Sequence, residues 1–557
     1  MRFLGAFVNA LPYFNAFSGA GAGRMAYDQR PNITISTISI WGTALSRKLL
    51  KSTAITGGMT TISRITGLIR DVVFANILGA GVMADAFFVA FRIPNFFRRI
   101  FGEGAFSQAF VPVCTEYKNN RSHDEVRAFL GHMGARFALI LFIFTLLATL
   151  ASPWIIYVLA PGFVDEPDKF QITVQSLYIT FPYLFFISLV AMAAGVMNTY
   201  GRFGVPAFTP VLLNLSLIGA AIYLAPYVDS PAVALSWGVF IAGVAQLLFQ
   251  LPLLAKLGLL PRPSLAAHEG VTRVFKRMLP AILGSSASQI NMLVNTFLAS
   301  LLVTGSISWL QYSDRLMEFP LGIFGIAIAT VILPSLSKKY VNNSHDEFSH
   351  ILDWALRWVF LIGLPATVGL IVLAGPMLTT LFNYGKFTAH DVEMSAQALV
   401  AFSVGLPALI LVKVLAPGFY ARQNTKTPAK IALIAFGSNI VLAIVLVQFL
   451  QHIGLALAIS IAAYINAGLL FFLLYKRKFY VAGEGWLPYF LQLIVATAIM
   501  GAVVYWGAGE PDTWLNAGKW ARIGRLLFWV SVGAGVYGLM LLILGVRPGS
   551  LTLKQQP

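Results

Sequence analysis

Long apolar runs separated by short polar stretches constrain this chain more than any other feature. Each run has about 20 residues or more, the length that a helix needs to cross the hydrocarbon of a bilayer. Hydrophobic residues make up 58% of the 557 residues and charged residues only 11%, more apolar surface than a soluble core can bury. The alternating pattern of barrel strands is absent. The sequence therefore predicts an all-α polytopic membrane protein.

The runs predict fourteen transmembrane helices. Their approximate spans are 52–79, 83–118, 127–158, 168–199, 205–227, 231–256, 274–304, 307–338, 348–382, 390–421, 428–450, 454–475, 484–508 and 521–546. Loops after even-numbered helices are basic, such as "KRK" at 476–478, and those after odd-numbered helices are neutral or acidic, such as "VDEPDK" at 164–169. Because basic loops stay in the cytoplasm, both ends of the helical body are predicted to be cytoplasmic.

An internal repeat relates the two halves of the chain. "NNRSHDE" at 119–125 matches "VNNSHDE" at 341–347, an offset of 345 − 123 = 222, and Pro112 and Pro334 share that offset. Six helices per copy is an even number, so both copies run the same way through the bilayer, the parallel-repeat plan of secondary transporters. The predicted units are an N-lobe at 47–258, a C-lobe at 259–480, a pair of extra helices at 481–548 and a tail at 549–557.

The composition also excludes several classes of protein. The net charge of +17 lies mostly in loops, which favours positive-inside bias over nucleic-acid binding. The single cysteine, Cys114, excludes an intrachain disulfide framework and a multi-cysteine metal site. No GxxxxGK[ST] loop is present, so ATP is not the direct driver. Residues 1–46 are predicted to be a loosely ordered extension or the product of a start codon placed too far upstream.

Polar side chains follow one face of three of the predicted helices. In "MTTISRITGLIRDVVF" and "QYSDRLMEFPLGIFG" they recur at spacings of three and four. These faces hold Ser63, Arg64, Arg70 and Asp71 on the first helix, Asp85, Arg92, Asn95, Arg98, Arg99 and Glu103 on the second, and Asp314, Arg315 and Glu318 on the eighth. Pro94, Gly102 and Gly104 are predicted to break the second helix.

These charges cannot face lipid. Each would cost about 2.5 to 3.5 kcal/mol at the bilayer centre. One interpretation is a set of internal salt bridges, with Arg99 and Glu103 at i, i+4 as a local pair. The other is a hydrated cavity that is lined from both halves. Arginine binds phosphate oxygens bidentately and keeps its charge, so such a cavity favours an anionic, phosphorylated substrate.

Several long motifs resemble one known family. "TISRITGLIRDVVFANILGAG", "ADAFFVAFRIPNFFRRIFGEGAFSQAFVP", "DRLMEFPLGIFGIAIATVILPSLS", "LFNYGKF" and "KVLAPGFYARQNTKTP" look like the MurJ (MviN) lipid II flippases of the multidrug/oligosaccharidyl-lipid/polysaccharide exporter superfamily. The resemblance covers residues from about 47 to 545. It implies two six-helix lobes around a central cavity, two C-terminal helices that form a groove for the lipid tail, and a place in the bacterial inner membrane.

The resemblance also implies the substrate and the residues that hold it. The substrate is lipid II, an undecaprenyl-pyrophosphate-linked disaccharide-pentapeptide, and the family's required arginines match Arg64, Arg70, Arg98 and Arg315. We expect the first three to hold the pyrophosphate and Arg315 to close on it from the other lobe. Gate or supporting residues are Ser63, Asp71, Asp85, Asn95, Glu103, Asp314 and Glu318. No cofactor or metal is expected, membrane potential or a coupled ion drives transport, and the cell-wall synthesis machinery is a candidate partner.

Other functions remain open at this stage. One is an exporter of another lipid-linked oligosaccharide, and a second is a drug/cation antiporter, whose cavity should be acidic or aromatic. A third, from another class, is a membrane-embedded glycosyltransferase that polymerises the precursor. That enzyme needs a catalytic carboxylate or an acidic metal site near an extracellular loop, and the loops after odd-numbered helices are too short to build one.

Overall fold

The computed structural model describes residues 35–260, 262–341 and 345–546, and it describes side chains from residue 56 onward except at 103, 261, 283–288, 326–327, 330–331, 339 and 341–345. The chain divides into two units, Met1–Ala54 and Ile55–Pro557, and every described side chain belongs to the second. Of the predicted N-terminal extension, residues 1–34 lie outside the described part, as does the predicted tail at 549–557.

All regular structure in the described part is helical. The α-helices are α1 (Ile35–Leu78), α2 (Val82–Arg98), α3 (Ala105–Asn120), α4 (His123–Leu150), α5 (Ser152–Leu159), α6 (Pro167–Thr180), α7 (Tyr183–Thr199), α8 (Gly204–Gly219), α9 (Pro231–Lys256), α10 (Glu269–Ser300), α11 (Ser306–Pro320), α12 (Ile326–Val341), α13 (His345–Val372), α14 (Ala374–Phe382), α15 (Ala389–Val404), α16 (Leu406–Tyr420), α17 (Lys426–Lys476), α18 (Trp486–Ala508), α19 (Pro511–Leu515) and α20 (Lys519–Ile543). Single π-helical turns occur at Arg99–Gly104, Ala220–Leu224 and Leu321–Gly325.

Nine helices of the described part are long and apolar enough to cross a membrane. The segments with polar faces, predicted as spans 1, 2 and 8, are not among the nine, because they carry several charges or are interrupted by π-turns. These helices confirm the prediction that the chain is an all-helical membrane protein. The predicted span 231–256 coincides with α9, and the predicted boundary between spans 428–450 and 454–475 falls at Gln451 within α17, where the backbone leaves the helical conformation with φ 48°.

The predicted break in the second helix falls at the glycines. α2 continues through Pro94, and the regular helix is interrupted only at the π-turn Arg99–Gly104, which contains Gly102 and Gly104. A proline within a helix removes one backbone donor but need not end the helix, because neighbouring groups can satisfy the carbonyl that is freed. A π-turn inserts one extra residue, which turns the side chains that follow to a new face.

The helix bounds repeat with the offset found in the sequence. Helices α4 and α13 each have 28 residues and begin at His123 and His345, an offset of 222. The π-turns that begin at Arg99 and Leu321 have the same offset, 321 − 99 = 222. Ser122 and Glu125 form a reciprocal capping box at the start of α4, which accounts for the "SHDE" motif as helix-start chemistry.

The largest apolar core is shared by residues from both repeats. Phe88 of α2 lies edge-on against Tyr312 of α11, with ring centroids 5.7 Å apart, and Tyr312 also packs against Phe382 and Phe387. The Tyr312 hydroxyl donates a hydrogen bond to the carbonyl of Gly79, 3.1 Å away. This core holds α1, α2 and α11 against one another, and these are the helices that carry the predicted site.

Candidate functional site

Asp71 joins two arginines that come from different repeats. Arg70 donates two hydrogen bonds to Asp71 Oδ1, of 3.0 Å from Nε and 2.7 Å from Nη2. Arg315 of α11 places Nε 3.1 Å from Asp71 Oδ2, at an angle that makes the contact an ion pair rather than a hydrogen bond. Arg315 Nη1 also donates to Glu318 Oε2 at 3.1 Å. One carboxylate of the first repeat therefore holds a guanidinium from each half.

Arg70 is held from a second side by α8. Its Nη1 donates to Asn214 Oδ1 at 3.0 Å, and Asn214 Nδ2 donates to the carbonyl of Ser63 at 3.0 Å. Asn214 thereby connects α8 to two successive turns of α1. Arg70 is only 8% exposed, so its direction is set by Asp71 and Asn214 rather than by solvent. Ser63 takes part in this contact through its backbone carbonyl and not through its hydroxyl, and its supporting role stays a prediction.

Arg64 lies against the backbone of the second repeat. Gly322, in the π-turn after α11, has no side chain, and the Arg64 guanidinium occupies the space that a Cβ there would fill. In the described part of the chain, no carboxylate forms an ion pair with Arg64. A guanidinium that is not paired with an acid keeps its hydrogen-bond donors available for an anion.

The arginines of the second predicted helix form a separate line along α2. Arg92 donates to Thr296 Oγ1 at 3.1 Å and to Gln311 Oε1 at 2.9 Å, so it connects α2 to α10 and α11. Arg98 donates from Nε to Asn95 Oδ1 on its own helix at 3.1 Å. Arg99, which is exposed, reaches Gln289 Oε1 at 3.4 Å. These contacts are made to neutral oxygens.

Asp85 forms the most buried polar contact between the repeats. It is 1% exposed and accepts hydrogen bonds from the backbone N–H groups of Gly305 at 2.8 Å and Ser308 at 3.0 Å, and from the Ser308 hydroxyl at 2.6 Å. It therefore supplies the cap at the N-terminus of α11, where backbone donors and the helix dipole favour an anion. Asp85 and Arg98 are 13 residues apart on α2, or about 20 Å along the axis. Asp85 thus lies apart from the arginines.

Lys169 completes the contact around Asp85. Its ammonium lies 3.5 Å from Asp85 Oδ2, donates to Thr304 Oγ1 at 2.8 Å, and stands 4.2 Å from the centre of the Phe163 ring. Glu166 accepts from both Lys169 and Thr304. The group of Asp85, Lys169, Glu166, Thr304 and Ser308 is called the Asp85 latch below.

The structure brings the predicted residues together only in part. Arg64, Arg70, Asp71, Arg315 and Glu318 meet where α1 faces α11. Arg98 and Asn95 lie on α2, and Asp85 belongs to the latch. Asp314 is half-buried beside Arg315 in the chain and forms no ion pair with another described group. The side chain of Glu103 lies outside the described residues, so its predicted pairing with Arg99 and its gate role stay predictions.

Sequence reasoning missed two contributors to these contacts. Lys169 was counted only as part of an acidic loop, although its position next to Asp85 is what balances that buried carboxylate. Asn214 is an amide on a predicted transmembrane helix, and such a polar group within a span is itself a signal that could have been used. Asn214 acts as a partner of Arg70, and Gln311, which belongs to the predicted polar face of the eighth helix, acts as a partner of Arg92.

The chemistry available at this site is anion binding. Guanidinium groups from both repeats converge, two of them on a single carboxylate, and none of the described contacts pairs a nucleophile with a base. Among the described residues, no three His, Cys, Asp or Glu side chains are placed to hold a metal ion. A polyanion with phosphate oxygens suits this arrangement, since each guanidinium can offer two parallel donors.

Comparison with known proteins identifies the family. The family model described as "Lipid II flippase MurJ" matches residues 74–516. A Vibrio cholerae serotype O1 protein named "Probable lipid II flippase MurJ" is 46% identical over 511 residues, which cover 90% of this chain and 97% of the relative. A solved structure titled "Lipid II flippase MurJ, inward closed conformation" is 28% identical, with a TM-score of 0.73, and the match covers 89% of this chain and 100% of that chain.

A more distant likeness concerns the fold alone. An inward-facing multidrug resistance MATE family transporter of the MOP superfamily matches with a TM-score of 0.62 at 14% identity, over 76% of this chain and 98% of that one. The family model and the Vibrio cholerae relative confirm the resemblance of the sequence motifs over most of the chain. The chain belongs to the lipid II flippase MurJ family.

Proposed function

We propose that this protein moves lipid II from the cytoplasmic to the periplasmic leaflet of the bacterial inner membrane, as a transporter and not as an enzyme. The family assignment supports this function, and one observation carries it at the level of residues: arginines from both repeats converge where α1 faces α11. A diphosphate is the part of lipid II that such a group of guanidinium ions can recognise.

In this proposal the Asp71 carboxylate pairs with the arginines until the substrate binds. It accepts hydrogen bonds from Arg70 and forms an ion pair with Arg315, in place of the charge that a pyrophosphate would supply. Arg64, whose donors are not taken by a described carboxylate, is the first contact for the incoming anion. Arg315 then exchanges Asp71 for the pyrophosphate and closes from the second repeat, while Arg98 extends the site along α2.

The proposed transport cycle uses the repeat. We propose fourteen membrane crossings, with an N-lobe at 47–258 and a C-lobe at 259–480 around a central cavity, and both ends of the body cytoplasmic. Helix bounds that recur at an offset of 222 support two copies of one structural unit. Rocking of one copy against the other would expose the site to each side in turn. The Asp85 latch would close one side and open when α11 moves away from α2.

The last two long helices lie outside the repeat. We propose that α18 and α20, within 481–548, form a groove for the polyprenyl tail. Both expose large apolar side chains, including Leu487 and Leu491 on α18 and Leu527 and Phe528 on α20. For the energy source we propose membrane potential or a coupled ion, because each charge carried across is worth about 2.3 kcal/mol per 100 mV. The cell-wall synthesis machinery is the proposed partner that uses the product.

A translocation assay tests the proposal. Purified protein in liposomes that contain lipid II, with and without an imposed membrane potential, should move the intact precursor between leaflets. Arg98→Ala should abolish movement while the protein remains folded, because the pyrophosphate loses a charge-assisted contact. Arg202→Ala is the matched control, since Arg202 is exposed at a helix connection and should leave transport unchanged. Normal transport by Arg98→Ala would refute the site, and glycan polymer in place of unaltered lipid II would refute the flippase.

A further inference from the structure

An open apolar pocket lies on the second repeat, away from the arginines. Its volume is about 380 Å³, and its walls come from α13, α16, α17 and the start of α18, with Leu356, Leu415 and Phe490 among the lining side chains. Phe471 and Tyr464 at its rim are each about 40% exposed. No residue of α1, α2 or α11 lines it. It is therefore distinct from the place where the pyrophosphate is proposed to bind.

One end of the pocket has the chemistry of a membrane interface. Tyr480 and Trp486 line this end, and the Tyr480 hydroxyl and Trp486 Nε1 each donate to Asp353 Oδ1 at 2.7 Å. Burial, together with the Asp353 carboxylate, raises the pKa of Tyr480 above its usual range, so the hydroxyl remains a donor. Tyrosine and tryptophan that bury their rings and bond through their polar ends are typical of the headgroup level of a bilayer.

Three consecutive basic residues stand beside this end. Lys476, Arg477 and Lys478 are exposed and connect Phe471, on one wall, to Tyr480, on the other. None of the three forms an ion pair with a carboxylate in the described part of the chain. The two carboxylates near these cations do not pair with them. Asp353 binds Arg357 and accepts hydrogen bonds from the two aromatic donors, and Glu484 is exposed in the loop. The positive charge here is thus uncompensated.

We propose that this pocket binds an anionic membrane phospholipid, with one acyl chain between α17 and α18 and the phosphate against residues 476–478. An open apolar slot with unpaired cations at its headgroup end matches a lipid that is apolar below and negatively charged above. A zwitterionic lipid offers the same chain but no net charge. This binding does not depend on the proposed transport function, because it uses a different part of the molecule.

The bound lipid would stabilise the packing of α18 against the repeat. Leu356 and Phe360 of α13 lie on one side of the pocket, and Trp486 and Phe490 of α18 lie on another. An acyl chain between them adds apolar contact that the protein alone does not make. Phosphatidylglycerol should therefore raise the thermal stability of the full chain, and it should do so more than phosphatidylcholine of the same chain length.

Substitution of a glycine on the pocket wall can fill the pocket without disturbing its neighbours. Gly468 lines the pocket, and a Cβ built on it meets no atom within 4 Å, so Gly468→Phe can be accommodated and should occupy the space of the chain. Gly437 is the matched control, because it is equally free of contacts within 4 Å, lies in the segment of α17 before the kink at Gln451, and does not line the pocket. Gly437→Phe should behave like the unchanged protein.

The charges are tested with a second set of variants. Replacing Lys476, Arg477 and Lys478 by Gln should weaken phosphatidylglycerol binding by roughly 100-fold, since each basic residue near a headgroup contributes on the order of 1 kcal/mol. The matched control replaces three exposed basic residues elsewhere, Lys256, Lys276 and Arg277, by Gln. That control should bind phosphatidylglycerol as before.

The measurement is the amount of lipid retained by the purified full chain, counted by native mass spectrometry after titration with phosphatidylglycerol, phosphatidylcholine or undecaprenyl phosphate. We expect retained phosphatidylglycerol to fall in Gly468→Phe and in the Gln variant, with both controls unchanged. Equal retention by Gly468→Phe and Gly437→Phe would overturn the proposal. Selective loss of undecaprenyl phosphate in Gly468→Phe would also overturn it and assign the pocket to a polyprenyl chain.

Discussion

Two buried carboxylates of the first repeat, Asp71 and Asp85, both contact α11 but in different ways. Asp71 meets the side chain of Arg315, which is 37% exposed and is shared with Glu318. Asp85 meets two backbone N–H groups and a hydroxyl at the N-terminus of α11, and it is 1% exposed. The first contact can change partner by rotating a side chain. The second can open only if the helix itself moves.

Because the two contacts differ in exposure and in the groups that form them, they suit different functions. A partly exposed ion pair is worth about 0 to 1 kcal/mol, so a substrate phosphate can displace it at little cost. Breaking a buried, hydrogen-bonded charge by removing one partner costs about 3 to 5 kcal/mol. The Asp71 contact therefore suits ligand exchange, and the Asp85 latch suits a gate that stays closed until the repeats separate.

The largest effect is expected from Asp85→Ala. It leaves Lys169 and two backbone donors of α11 without their acceptor, so the latch should open at least about 100-fold more often, given the roughly 3 to 5 kcal/mol lost. Ile307→Cys in a Cys114→Ser background reports opening, because Ile307 is buried beside the latch and should react with a membrane-impermeant maleimide only when α11 moves.

Asp165→Ala is the control for this experiment. Asp165 is exposed in the loop that also carries Glu166 and has no part in the latch, so labelling at position 307 should not change. If Asp85→Ala is labelled no faster than this control, the latch does not hold the two repeats together.

A smaller effect is expected from Asp71→Asn. The amide still accepts one hydrogen bond from Arg70 but no longer balances the charge of that buried guanidinium, so stability should fall by about 1 to 3 kcal/mol. Thermal unfolding of the purified protein measures the change, and labelling at position 307 should stay low. Rapid labelling instead would mean that both contacts belong to the same gate and would remove the distinction between them.

The smallest effect on stability is expected from Arg315→Lys. The ion pair with Asp71 keeps its charge, and Arg315 is partly exposed, so unfolding should shift by no more than about 1 kcal/mol. Lipid II movement should nevertheless fall roughly tenfold, because an ammonium cannot offer a planar pair of donors to the pyrophosphate. A stability loss as large as that of Asp71→Asn, with transport intact, would make Arg315 a structural residue.

Much of the helical framework follows from local sequence pattern. The apolar runs predict helices such as 231–256, and the two copies of the "SHDE" motif lie where α4 and α13 begin. The position of the break in the second helix was predicted less well, since α2 continues through Pro94 and the π-turn begins at Arg99. Whether a proline interrupts a helix depends on its neighbours in space, which periodicity does not report.

The candidate site also separates what local sequence pattern predicts from what depends on neighbours in space. The sequence placed Arg70, Asp71 and Arg315 on polar faces, and that prediction needed only the cost of a charge in lipid. It did not show that Arg70 turns to Asn214, 144 residues away, or that Lys169 stands beside Asp85. Those contacts depend on which helices pack together.

The sequence by itself determined that the chain is helical and membrane-embedded, that it contains motifs repeated at an offset of 222, and that its charges must be shielded from lipid. Hydrophobic length, helical periodicity and duplication are properties of short segments and need no partner. Only the tertiary structure decided which arginine shares which carboxylate, and that Asp85 caps a helix beginning more than 200 residues later. Such partners are chosen by the packing of helices distant in the chain, and no local pattern records that choice.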